Sequence, residues 1–269
     1  MNDAVISPPA LPTTLAVDAT EALERFRFAL EHELLVQANW HVERDGRQLA
    51  CALGVLGPEV SRPADCPASV MPKWLAVMVP NFFDAMPYEA ATAWGLAFYE
   101  QLARLKGQVP FSVVYDWQAH CVLEFWAASL KKRKFTEAQL AEKLARVEAA
   151  RALHVLHLGG GAAPKAAWRE ALRPLYAYAY ADAYAYAYAD AYADADADAY
   201  ADADAYADAY AYAYADADAD AYADAARTPL KAGETKADLR QRRRAENIQL
   251  MADGLVAAMA RVGAVESAA

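Results

Sequence analysis

From Tyr176 to Ala225 the chain alternates strictly between alanine and either tyrosine or aspartate, with no Gly, Pro or Asn in the segment. Any fold must therefore accommodate a long stretch that has a small residue at every second position and lacks the residues that make tight turns. As a strand it would place every alanine on one face and every Tyr or Asp on the other. It would then extend ~165 Å at ~3.3 Å per residue, although Asp and Ala are poor strand residues. As a helix it would be ~75 Å long at ~1.5 Å per residue. Alanine favours that form, and Tyr176, Tyr180, Tyr184, Tyr188 and Tyr192 recur at supporting i, i+4 steps. Asp190, Asp194, Asp198 and Asp202 share the spacing and repel. As a solvated chain the segment has uncompensated charge and few aliphatics. Helix is favoured, because the segments on both sides read as helical.

The tract holds twelve aspartates and no basic residue, so it carries −12, against −10 for the whole chain. The remainder is near +2, and no general basic footprint for nucleic acid exists. The tract is also a poor DNA mimic. Twelve charges over ~75 Å is about one per 6 Å, against about one per 1.7 Å in duplex DNA. A single row of aspartates gives divalent cations only weak, hydrated contacts. Catalysis needs side chains fixed to fractions of an ångström, and a monotonous repeat suits action through extent and charge instead.

Outside the tract the pattern is helical. Residues 1–17, with Pro8, Pro9 and Pro12, read as a flexible tail. Asp18 and Glu21 have capping-box spacing ahead of Leu23, Phe26, Leu30 and Leu34. Asp45-Gly46 between Trp40/Val42 and Leu49/Cys51/Leu53 signals a tight hairpin at about 40–53, with a helix after Gly46 as the competing reading. A proline-rich loop spans 57–72, followed by helices at about 73–84, 88–106 and 111–131. Thr136 and Gln139 open another helix, which Gly159, Gly160 and Gly161 end. A helical piece then runs from Pro164 to Leu172. A basic segment, Arg227 to Arg244, precedes a terminal helix marked by Ile248, Met251, Leu255, Met259 and Val262. The expected fold is mainly α: a small helical globular domain at 18–158 with a β-hairpin at about 40–53, an alanine-rich arm at 164–226 whose favoured form is helix, and a basic segment with a C-terminal amphipathic helix at 227–269.

Candidate chemistry is sparse. Asp116, His120 and Glu124 at i, i+4, i+8 would share a helix stripe that His154 and His157 face from the next helix. Facing carboxylates and imidazoles build metal sites in bundles, but the Glu-x-x-His pairs of carboxylate-bridged sites are missing. The plain alternative is a surface stripe flanking an edge histidine. Cys121 next to His120 points about 100° away from it on a helix, which favours a core thiol over a nucleophile. Gly159-Gly160-Gly161 with Lys165 does not meet the phosphate-loop spacing and reads as a helix stop. Arg242-Arg243-Arg244 lacks interleaved aromatics, so pairing with the acidic tract competes with any nucleic-acid contact.

Cys51, Cys66 and Cys121 are odd in number, and their spacing fits neither a disulfide framework nor a zinc ribbon. Met1 to Ala16 has no basic region ahead of an apolar stretch, and no run of 18 apolar residues occurs. The expectation is a cytoplasmic protein with no membrane contact and no cofactor.

The stretch from Trp40 to Trp126 carries W-H-V-E-R-D-G-R-Q-L-A-C-A-L-G, C-P-A-S-V-M-P-K-W-L-A-V-M-V-P-N-F-F-D, A-W-G-L-A-F-Y and V-P-F-S-V-V-Y-D-W. With the repeat behind it, the chain resembles uncharacterised alanine-rich-repeat proteins of bacteria and their phages over most of 25–260. That resemblance implies no activity and assigns no residue a role, and the strict alternation departs from the looser repeats of that group. The function expected is a non-enzymatic structural or interaction protein that binds a protein partner or itself through the arm. The alternative is a metal-dependent enzyme using Asp116, His120 and Glu124.

Overall fold

The computed structural model describes residues 9–179, 229–231 and 233–263, with the side chains of 174–179 left aside. Among these the protein is mainly α, with one two-stranded antiparallel sheet. The chain divides into two compact units between Val109 and Pro110, a point inside the segment 18–158 expected as a single domain.

The first unit contains α1 (Ala19–Glu31), β1 (His41–Arg44), β2 (Arg47–Ala50), α2 (Lys73–Ala85) and α3 (Tyr88–Arg104). Asp18 caps α1, its carboxylate accepting from the backbone of Thr20 at 2.8 Å and of Glu21 at 2.9 Å. The Glu21 carboxylate reaches back to Val17 N at 2.8 Å. The hairpin forms as the Asp45-Gly46 signal predicts. Arg44 pairs with Arg47 and His41 with Ala50, leaving Asp45 and Gly46 as the two turn residues. Their φ values of 54° and 71° supply the left-handed backbone such a turn requires.

The core of this unit is aromatic. Phe26 stacks on Tyr99 at 5.0 Å and meets Phe83 edge-on at 6.5 Å. The ring can sit there because α3 carries Gly95, where a Cβ would fall 2.4 Å from the tip of Phe26. Tyr99 is fully buried, and its hydroxyl donates to Ala52 O at 2.6 Å. That bond satisfies the one polar atom an interior tyrosine brings with it.

Arg25 is the exception on the apolar face of α1. It is only 5% exposed, and its guanidinium donates to Leu56 O at 2.8 Å, to Thr14 O and to the Glu21 carboxylate. Ala16 N also donates to Leu56 O at 2.7 Å. Residues 14–16, expected within a flexible tail, are thus tied to the unit, while the first eight residues of that tail lie outside the described ones. Removing the buried cation takes a donor from Thr14 O, from Leu56 O (which keeps Ala16 N) and from the Glu21 carboxylate, at about 1–3 kcal/mol for each group left unpaired. Arg25→Ala is expected to lower stability by about 3 kcal/mol or more in urea unfolding, and a loss under 1 kcal/mol would show that the clamp is dispensable.

The second unit contains α4 (Ser112–Trp117), a π turn (Gln118–Val122) and α5 (Leu123–Lys132) end to end, then α6 (Glu137–Leu158), α7 (Lys165–Ala179) and α8 (Lys236–Arg261). The Thr136–Gln139 capping box closes in both directions, at 3.2 and 3.0 Å. Gly159 caps the C-terminus of α6, and Gly160 takes φ 77° just beyond it. Helix α7 takes in the first four residues of the alternating tract; the rest of the arm lies outside the described residues. Thr235 and Asp238 form a second capping box at the start of α8. Ile248, Met251, Leu255 and Met259 of the stripe that the sequence indicates are buried, whereas Val262 falls at the C-cap, outside the helix, and is half-buried. Among the described residues no helix is long and apolar enough to cross a membrane.

Candidate functional site

The helix proposed to carry chemistry, 111–131, is interrupted where its candidate residues lie. The π turn at Gln118–Val122 adds one residue to the hydrogen-bond ladder, displacing later positions by about 100° around the axis. Asp116 stands before the turn, His120 within it and Glu124 after it. His120 Nδ1 lies 3.9 Å from Glu124 Oε1, and both side chains are largely exposed. Asp116 is taken by Arg261 of α8, whose Nε donates to its two carboxylate oxygens at 2.9 and 3.0 Å. His154 and His157 pack elsewhere, on Tyr115 and Trp168. Among the described residues no group of three or more His, Cys, Asp or Glu side chains is arranged to hold a metal ion.

What the π turn does accommodate is α8. The Trp117 indole N–H donates to Met251 O at 2.8 Å, and the Cys121 thiol lies 3.6 Å from Leu250 O. Gly254 faces the thiol so closely that a Cβ there would fall 2.2 Å from Sγ and 2.9 Å from Cys121 Cβ. Burial pushes the Cys121 thiol up to about 11, which suits a packing group and not a nucleophile at neutral pH. The sequence carried one signal for this contact. A glycine inside an amphipathic helix costs ~1 kcal/mol against alanine, and a close approach of another element compensates for it. Gly254→Ala is expected to destabilise the second unit by about 1–3 kcal/mol through overpacking. The cost should shrink in a Cys121→Ala background, and purely additive losses in a double-mutant cycle would refute the contact.

Beside α8's seat lies an aromatic nest formed by Tyr115, His154, His157 and Trp168. The His154 ring meets the Trp168 indole edge-on at 4.8 Å, and His157 lies 4.8 Å from Tyr115. His157 Nε2 accepts from Ala163 N at 3.0 Å, which requires the neutral imidazole in that tautomer. His154 is 1% exposed, and burial lowers its pKa to about 3, with His157 adding to the effect. Its unfolded pKa is near 6.5. The folded form therefore binds the proton less well, so stability is full above about pH 6.5 and falls as pH drops toward 3, by up to ~1.4 kcal/mol per unit. Denaturation midpoints measured between pH 7 and 4.5 are expected to show this decline and to flatten in His154→Leu. An equal slope in both proteins would place the acid sensitivity elsewhere.

The remaining features are on surfaces. Arg242 reaches Glu234 at 2.8 Å and Glu246 at 3.3 Å, and Arg243 reaches Glu246 at 2.8 Å, so acids of the same segment engage two arginines of the basic run. Lys165 opens α7 directly after Pro164, in keeping with a helix stop and restart. Val155, Leu156 and Leu158 are exposed at the end of α6. A groove of about 310 Å³ lies between α6 and α7, lined by Arg146, Ala149, Leu153, Ala167, Glu170 and Ala171. No family profile, curated protein or solved structure matches the chain.

Proposed function

We propose that this is a non-enzymatic interaction protein that self-associates, its acidic arm engaging the second unit of another copy. The observation that carries this reading is the distribution of charge. The tract from 176 to 225 holds twelve Asp and no cation, while residues 110–175 and 226–269 together hold 18 Lys and Arg against 11 Asp and Glu, a surplus of seven. An arm of −12 and a body of +7 attract over a Debye length of about 8 Å at physiological ionic strength. The regular alanines let the backbone approach a surface closely, and tyrosine brings large contact area at low entropic cost. The groove between α6 and α7, apolar at Leu153 and the three alanines and rimmed by Arg146 and Glu170, lies on that same body.

Light scattering on the full chain, and on a chain in which 180–225 is replaced by a Gly/Ser linker, tests the proposal. At high protein concentration and low salt the full chain is expected to form oligomers that dissociate on dilution or with added salt, and the replaced chain to stay monomeric. Equal masses for the two proteins under those conditions would overturn the reading.

A further inference from the structure

The first unit has a cleft of about 560 Å³ beside the hairpin, lined by Glu33, Leu35, Val36, Gln37, Arg44, Asp45, Arg47, Leu49 and Tyr88. Its volume falls within the ~300–1,000 Å³ usual for small-molecule sites. The strand register explains its lining. Arg44 and Arg47 sit directly opposite each other, and Leu49, two positions along β2 from Arg47, shares their face. Like charges placed opposite each other across a hairpin destabilise it. Both arginines nonetheless point into one cleft, and among the described residues neither makes an ion pair with Glu33 or Asp45, the two carboxylates of the rim.

Arg47 is fixed in place. One of its terminal nitrogens donates to His32 O and Glu33 O, leaving the rest of its five N–H donors for other partners. The Tyr88 hydroxyl donates to Leu35 O at 3.3 Å and keeps its lone pairs as acceptors. Leu35, Val36 and Leu49 are each at least nine-tenths buried and supply an apolar floor. The cleft thus combines a pair of cations, a pair of anions, a spare acceptor and an aliphatic base. A ligand carrying only negative charge would meet Glu33 and Asp45, and one carrying only positive charge would meet the arginines.

We propose that this cleft binds a free aliphatic amino acid in its zwitterionic form. The carboxylate lies between the Arg44 and Arg47 guanidinium groups, whose planar forks match it. The ammonium faces Glu33, Asp45 and the Tyr88 oxygen, and the side chain rests on Leu35, Val36 and Leu49. Binding relieves the repulsion between the two arginines, so the like-charge pair on the hairpin becomes a recognition element.

The test is calorimetric titration of the full-length protein with L-leucine, leucinamide, which lacks the carboxylate, and 4-methylpentanoate, which lacks the ammonium. Leucine is expected to bind, and each analogue to bind about tenfold or more weakly. Arg44→Gln is expected to weaken leucine about tenfold or more while raising the melting temperature of the free protein, since it removes the repulsion and Arg44 is exposed. A merely structural arginine would not produce both effects. The proposal is overturned if leucine does not bind, if either analogue binds as well as leucine, or if Arg44→Gln leaves leucine affinity unchanged.

Discussion

The seating of α8 on the π turn is the contact on which the second unit depends. The Trp117 indole caps a carbonyl in the middle of a helix, Gly254 opens the space that Cys121 fills, and Arg261 holds Asp116 at the far end. These contacts join residues more than 120 positions apart and seat the helix that follows the alternating tract on the same unit as α7. Both flanks of the tract are therefore anchored on one body. The second unit therefore depends on the two flanks staying seated.

Each unit relies on a helix glycine as a notch for a large neighbour. Gly95 receives the ring of Phe26, and Gly254 receives the thiol of Cys121. Glycine inside a helix is a local liability of about 1 kcal/mol, and in both places the liability is offset by close packing that no side chain would permit. The polar atoms brought inside by this packing are satisfied: Tyr99 by Ala52 O, Trp117 by Met251 O, and Arg25 by two carbonyls and a carboxylate. In the first unit, the N-terminal strap at residues 14–16 is held by the same arginine that compensates for its own burial.

The features legible in the sequence were those decided within a few residues. Asp18 and Thr136 cap helices because their oxygens reach donors two or three positions on, and Asp45-Gly46 turns because both residues tolerate left-handed backbone. The placement of the candidate residues, with Asp116 held by Arg261 and only His120 and Glu124 near each other, was not legible for the opposite reason. The i, i+4, i+8 spacing of Asp116, His120 and Glu124 defines a stripe only on an uninterrupted α-helix, and a single residue inserted at 118–122 leaves no mark in hydrophobic periodicity. The partner of Asp116 stands 145 positions away, beyond the range of any local pattern. The division at 109/110 was hidden because it falls in a short connection between helices, with no composition shift apart from Pro110. The cleft at the hairpin was half legible: the turn fixes Arg44 opposite Arg47, but Glu33 and Tyr88 reach the same place only through tertiary packing.

Charge partitions along the chain in a way that limits what the arm can engage. Residues 1–109 hold eight Lys and Arg against 13 Asp and Glu, a surplus of five negative charges, whereas the second unit outside the tract has a surplus of seven positive ones. The first unit repels the arm and the second attracts it. Because both flanks are anchored on that second unit, the arm is held covalently beside its own body, which raises the effective concentration of one for the other. Contact within one copy therefore competes with contact between copies. Exchange from one to the other gains little electrostatic energy, since the same charges meet in either case, and it becomes favourable only as protein concentration rises toward that effective value. On the proposed reading, self-association through this arm is accordingly favoured in crowded or locally concentrated protein, and dilution favours contact within one copy.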